Sequence, residues 1–280
     1  MGVLTKLSLK QINELTKIDN IEFFCLKETL NGISDTTYEL KTKENKKYIF
    51  KLFENLDCKE FEEQVFILKH LRTLEVPKVV LNSRLFYKSK PACIFSFIEG
   101  EIAKTIEITH IEQIITFLLK LHNIKIKPKS KNIYTKEYFL KMLKLVDKSL
   151  KEEFEKRYKV LKDIDLEPNG LIHGDLFPDN SKFKAGQLSG VYDFTQSCYG
   201  NIYFDLAVVI VSWCFKKFEF DFKLFYQTLQ TYSVKQKLTE KEIKSYLLFA
   251  SLYYSLQRAV KNNSDYKEYL RKFDILEKII

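Results

Sequence analysis

The most regular alternation of apolar and polar positions in the chain lies in YIFKLF, residues 48–53, and a period of two predicts a β-strand. Lys51 sits between Phe50 and Leu52 and so faces opposite to both. The polar turn KENK joins this strand to an earlier one in TYELKT, and IEFFCLKETL predicts another before it. Ahead of these, Leu9, Ile12, Leu15 and Ile18 recur at helical spacing behind a Ser cap, predicting a helix over residues 8–19. A second helix is expected over residues 58–74, followed by VPKVV, a turn, and strands around LFYK and ACIFSF. The first hundred residues therefore read as an α+β unit built on an antiparallel sheet.

After IEGE the period changes. Helical patterning runs from THIEQIITFLLKLHNI through YFLKMLKLVDKSLKEEFEKRYKVL, and resumes from YFDLAVVIVSWCFKKF nearly to Ile280. Between these lie LIHGDLFPDN and a short hairpin in NSKFKAGQLSGVYDF, and KIKPKSKN reads as a linker. The expected organisation is a small antiparallel-sheet lobe over residues 1–98 and a larger, mainly helical lobe over residues 99–280, with an active site in the cleft between them.

Composition adds exclusions. Of 280 residues, 45% are apolar and 30% charged, as in ordinary soluble domains. No apolar run approaches the roughly 20 residues of a membrane span, and MGVLTKLSLKQINEL lacks a signal-peptide core. A cytoplasmic protein without membrane partners is expected. The net charge of +9 is mostly Lys interspersed with acids, as in TEKEIKSYL, which describes solvated helix faces. Neither clustered cations with stacking aromatics nor a recognition motif marks a nucleic-acid partner. The five cysteines are dispersed, without C-x-x-C or a Cys/His cluster, so neither zinc nor a disulfide framework is expected. They read as reduced thiols in or near the core.

The chemistry concentrates in LIHGDLFPDN. His173, Asp175 and Asn180 fall within eight residues, and Asp193-Phe194 follows thirteen residues after Asn180. Taken singly, these are turn formers; taken jointly they match a kinase catalytic loop. Phosphoryl transfer needs a carboxylate to accept the proton of an attacking hydroxyl, oxygen ligands for Mg²⁺ at the ATP phosphates, and a cation to pin those phosphates. Asp175 has the position for the base, Asn180 and Asp193 for the metal ligands, and Lys51 for the phosphate clamp. His173 reads as a buried hydrogen-bonding brace, and Asp205, ahead of an apolar helix, as a candidate cap. Gly174 stands where protein kinases carry Arg, DFT replaces D-F-G, and no A-P-E follows, which favours a small-molecule kinase over a regulated protein kinase.

The stretches NGISDTTYEL, PACIFSFIEGE, LIHGDLFPDN, LSGVYDF and YFDLAVVIVSWCF resemble the aminoglycoside phosphotransferase and choline kinase superfamily, which has the protein-kinase fold. DLFPDN…LSG…DF…FDLA…WCF is most similar to its homoserine kinase branch. The resemblance implies ATP and Mg²⁺ as cofactors and a small-molecule hydroxyl acceptor, homoserine first. Choline, ethanolamine or an aminoglycoside is the alternative acceptor, and a catalytically inactive binding protein the non-enzyme alternative. It also implies that Ser34, Thr36 and Thr37 lie in a phosphate-covering loop. Ser96, Phe97, Ile98 and Glu99 would form the adenine-pairing hinge, and Asp205 would support the catalytic loop. The glutamate that pairs with Lys51 is one of Glu60, Glu62 and Glu63, with Glu62 placed among the supporting residues. Thr195-Gln196-Ser197 and Ser212 depart from the branch near the expected acceptor pocket. Gln196 and Trp213 are candidate substrate contacts there, and Arg258 is either a partner for a substrate carboxylate or a surface helix residue.

Overall fold

Ser8 opens α1, Leu9–Thr16, through a reciprocal cap: its hydroxyl accepts from the Gln11 amide, and the Gln11 side chain accepts from the Ser8 amide. The helix ends at Thr16 and gives way to a tighter 3-10 turn over Lys17–Asp19. The computed structural model describes residues 3–29, 35–80, 84–233 and 240–280. The chain divides into two compact units, Met1–Glu99 and Gly100–Ile280.

The first unit is a five-stranded antiparallel sheet of β1 (Cys25–Glu28), β2 (Thr36–Lys41), β3 (Lys47–Leu52), β4 (Leu85–Tyr87) and β5 (Lys90–Ser96), ordered β1-β2-β3-β5-β4. Tyr38 pairs with Phe50 and Phe50 with Ile94, so their side chains share a face. With Leu40, Leu52 and Ala92 they meet Leu7, Ile12 and Phe23 in one core. The opposite face carries the row Thr37, Lys51, Cys93 across β2, β3 and β5. α2, Cys58–His70, begins at a capping box between Asp57 and Glu60. It stops short of the expected residue 74 because the Leu71 amide closes back on Ile67 and Leu68.

In the second unit, α3 (Ile108–His122) is the first long helix. The helical patterning over residues 138–161 resolves into two helices, α4 (Lys136–Met142) and α5 (Lys148–Tyr158), the second started by the Asp147 side chain, which accepts from the Leu150 amide. Two ribbons follow, which the sequence pattern revealed only in part. β6 (Gly170–Ile172) pairs with β9 (Cys198–Gly200), and β7 (Ser181–Lys184) pairs with β8 (Gln187–Val191). Residues 173–180 and 192–197 are thereby two loops tied together at both ends, Ile172 to Cys198 and Ser181 to Val191.

α6, Ile202–Trp213, is apolar nearly all round and buried. The helical patterning that the sequence carries onward is interrupted here. The Cys214 amide caps it, and Lys217 takes a left-handed φ of 58° in the turn of a small hairpin, β10 (Phe215–Lys216) with β11 (Glu219–Phe220). α7 (Phe222–Ser233) packs on α3, while α8 (Glu240–Val260) packs on both α6 and α9 (Tyr266–Ile279). Among the described residues no helix is long and apolar enough to cross a membrane. Cys93, Cys198 and Cys214 are buried thiols, whereas Cys25 and Cys58 are exposed rather than near the core, and none is in a disulfide.

Candidate active site

The loop after β6 is built on one fully buried carboxylate. Asp205, in the first turn of α6, accepts from the backbone amides of His173 at 2.9 Å and Gly174 at 2.8 Å, and its Oδ2 also lies 3.1 Å from His122 Nε2. It is not the helix cap; Asn201 is, accepting from the Tyr203 and Phe204 amides. His122 in turn reaches the Tyr232 hydroxyl at 3.1 Å. His122 is a lone histidine in an apolar helical run, and only the tertiary structure brings it to Asp205.

His173 is buried, and burial pushes its pKa down, so the ring is neutral at pH 7. Its Nδ1 accepts from the Asp175 amide at 3.2 Å, which leaves the proton on Nε2 to be donated to the Tyr192 carbonyl at 3.1 Å. The brace joins the two tied loops. Gly174 between them has φ 79°, and a Cβ there would sit 2.4 Å from the Tyr134 hydroxyl, so the arginine of protein kinases has no room. The Tyr254 hydroxyl donates to the Gly174 carbonyl from α8.

Asp175 follows. Burial, then the neighbouring Asp193 and Asp179 carboxylates, push its pKa from the ordinary 3.8 up to about 7, against the Arg258 cation and the Asn180 hydrogen bond. Asn180 Nδ2 donates to the Asp175 carbonyl at 2.7 Å and lies 3.3 Å from its Oδ2, leaving the Asn180 side-chain oxygen to face elsewhere. Asp193 is held in the left-handed region at φ 65°, with Thr195 donating to its Oδ1 at 2.7 Å. For a residue other than glycine that geometry costs about 1 kcal/mol and is retained where a side chain must be aimed.

The donor set suits a hard divalent cation. It offers an amide oxygen and a carboxylate beside Asp175, whose pKa is raised first by burial and then by the neighbouring Asp193 and Asp179 carboxylates. Among the described residues no three His, Cys, Asp or Glu side chains form a metal cage, so an ion here would draw further ligands from phosphate and water.

The first unit holds Lys51, with its side chain 16% exposed. Its ammonium lies 3.0 Å from Asp35 and over the Phe53 ring at 5.0 Å. Glu62, expected to support Lys51, instead pairs at 2.7 Å with Arg84, because its position on α2 turns it to that side. Thr36 is likewise unsuited to a phosphate contact: its buried hydroxyl accepts from the Leu4 and Thr5 amides and donates to Glu54. Thr37, on the other face, lies directly across from Lys51. Ser34 lies outside the described residues. Ser96 ends β5, exchanging hydrogen bonds with the Lys78 backbone, and Phe97, Ile98 and Glu99 continue from it, with Lys47 against the Phe97 ring and the Glu99 carboxylate.

Of the substrate candidates, Trp213 is buried and spends its indole N–H on the Leu176 carbonyl at 2.9 Å, so it braces the loop from behind and presents no group to a substrate. Gln196 accepts from the Tyr134 hydroxyl at 2.9 Å. Arg258, on α8, is half-buried. Its guanidinium lies over Tyr269 at 4.1 Å, Tyr254 at 5.5 Å and Phe177 at 5.6 Å, close enough to Asp175 to lower its pKa. Asp179 was not singled out by its sequence; it is exposed and adds to the negative charge around Asp175.

A sheet unit with lysine on its central strand and a helical unit with an Asp–Asn–Asp loop define a phosphotransferase of the protein-kinase-like fold. The chain belongs to the phosphotransferase enzyme family, whose model matches residues 26–230. It is 28% identical over 233 residues to a homoserine kinase of Methylobacillus flagellatus, covering 76% of this chain and 72% of that one. Its fold is similar to that of the choline kinase LicA of Streptococcus pneumoniae, with a TM-score of 0.70 and 22% identity over 96% of this chain and 98% of that one. The aminoglycoside phosphotransferase APH(4)-Ia gives a TM-score of 0.71 with 14% identity over 97% of this chain and 99% of that one. The chain is a small-molecule kinase.

Proposed function

We propose that the protein transfers the γ-phosphoryl group of ATP to the side-chain hydroxyl of L-homoserine. The observation that carries the chemistry is Asp175, a braced carboxylate with its pKa near 7. As the acceptor oxygen attacks the γ-phosphorus in line and the bond to the β,γ-bridging oxygen breaks, Asp175 takes the hydroxyl proton and ADP leaves. Asn180 and Asp193 would hold Mg²⁺, which when bound would neutralise charge on the phosphates. Lys51 contacts those phosphates, Thr37 belongs to the segment covering them, and the backbone of Ser96, Phe97, Ile98 and Glu99 receives adenine.

The acceptor reading rests on the homoserine kinases among the relatives and on Arg258. A choline or ethanolamine kinase wants its aromatic cluster for the substrate cation. Here the cluster of Tyr254, Tyr269 and Phe177 beside the base already holds the Arg258 guanidinium, which repels an ammonium and attracts a carboxylate. Replacing Arg258 with Gln tests the assignment: the KM for L-homoserine should rise at least tenfold, on the order expected for a lost charge-assisted pair, with the KM for ATP little changed. An unchanged homoserine KM would remove Arg258 from the acceptor site.

A further inference from the structure

The lysine assigned to the ATP phosphates already faces an anion. Asp35 Oδ2 lies 3.0 Å from Lys51 Nζ, with side chains only 16% (Lys51) and 10% (Asp35) exposed. The pair is built rather than incidental, because the other carboxylate oxygen, Oδ1, accepts from the Glu54 backbone amide at 3.1 Å. Surface ion pairs swing freely and contribute little; this carboxylate is fixed by main chain on one side and aimed at the ammonium with the other. Asp35 immediately precedes β2, whose Thr37 stands across from Lys51, so it lies at the end of the strand pair that carries the lysine.

We propose that Asp35 is a specificity-determining residue that competes with nucleotide phosphate for Lys51 and so weakens MgATP binding. The inference rests on the nucleotide half of the proposed function. A polyphosphate approaching Lys51 meets a fixed negative charge about 3 Å from the ammonium, and like charges in a partly desolvated setting repel by enough to shift affinity roughly tenfold. Asparagine at this position keeps the shape and can still accept from the Glu54 amide, but carries no charge. A carboxylate that served instead to aim the lysine would act in the opposite direction, since its removal would loosen the phosphate contact.

The test is direct calorimetric titration of MgATP into wild type, Asp35→Asn and Asp35→Ser, with melting curves of all three. The expected result is a dissociation constant for MgATP about tenfold lower in Asp35→Asn, with a parallel fall in the KM for ATP and kcat within about twofold. If Asp35→Asn does not fold, Asp35→Ser carries the same expectation; if neither folds, the carboxylate is structural and the inference is overturned. Equal or weaker MgATP binding in a folded variant overturns it as well. Wild type that binds no MgATP overturns the nucleotide reading itself and this inference with it, whereas tight MgATP binding without turnover on homoserine touches only the acceptor.

Discussion

The Asn180 amide rests on Asp175, donating to its backbone carbonyl at 2.7 Å and lying 3.3 Å from its Oδ2. One side chain thus fixes the Asp175 carboxylate while keeping its own oxygen available. Asp193 is delivered opposite by the second tied loop, and its charge helps hold the Asp175 pKa near 7. The arrangement places a proton acceptor matched to neutral pH among groups that suit a cation.

Asp175→Asn should reduce kcat by at least a thousandfold, on the scale of losing a general base together with its positioning role, while MgATP binding persists. Stability should move the other way. The folded pKa of Asp175, about 7, exceeds its unfolded value near 3.8, so the native state binds the proton more tightly and loses stability as pH rises between these values. The charged carboxylate is therefore a full liability above pH 7 and none below about pH 4. Asp175→Asn should raise the unfolding midpoint at pH 8, by an amount on the order of 1–3 kcal/mol, and the gain should fade as pH approaches 4. Equal loss of stability at both pH values would contradict this account of Asp175.

The pH dependence of kcat/KM for the acceptor should have a rising limb near pH 7, because the base must be deprotonated. Asp179→Asn removes a charge that raises the Asp175 pKa, and should move the limb to lower pH by a few tenths of a unit. Arg258→Gln removes a charge that lowers it, and should move the limb to higher pH. Opposite shifts identify the group that titrates as Asp175; shifts in the same direction would point to another base.

Asp205→Asn should damage fold and activity together. The buried carboxylate receives N–H groups from both His173 and Gly174, and an amide can accept with only one of its two ends. The expected loss is roughly 2–4 kcal/mol of stability with a large fall in kcat, read by denaturant titration and steady-state kinetics. A stable, active variant would show that the loop does not depend on Asp205.

Gly174→Ala should destabilise by more than the roughly 1 kcal/mol of a left-handed alanine, because the added Cβ meets the Tyr134 ring and hydroxyl at 2.4–2.6 Å. Pairing it with Tyr134→Ala should recover part of the loss, and a purely additive double variant would contradict the close approach.

The two-residue alternation around Lys51 and the helical periods make the α+β architecture legible in the sequence. The local chemistry of LIHGDLFPDN and LSGVYDF singled out Asp175, Asn180 and Asp193, which lie on two loops tied together at both ends. Partners set by folding were not legible. Nothing local tells Asp35 from Glu62 as the acid facing Lys51, since one precedes a strand and the other sits on a helix. Thr36 and Trp213 have polar groups suited to ligands, and burial turns both inward. Arg258 reaches the base from about eighty residues away in sequence, because α8 packs on α6 and brings Tyr254 and Arg258 to the loop. β6 and β9, three residues each, are too short for a period to register, yet they tie one end of both loops.

The most direct measurement of the central claim is phosphoryl transfer itself: ADP release from MgATP with L-homoserine, L-serine, choline, ethanolamine and kanamycin offered separately, and the phosphorylated product identified by phosphorus NMR. Turnover is expected to be selective for L-homoserine, with phosphate on its side-chain oxygen and no product from Asp175→Asn. Turnover on choline or kanamycin in preference to homoserine would contradict the acceptor assignment, and folded protein that binds MgATP yet phosphorylates none of the five would contradict the account as a whole.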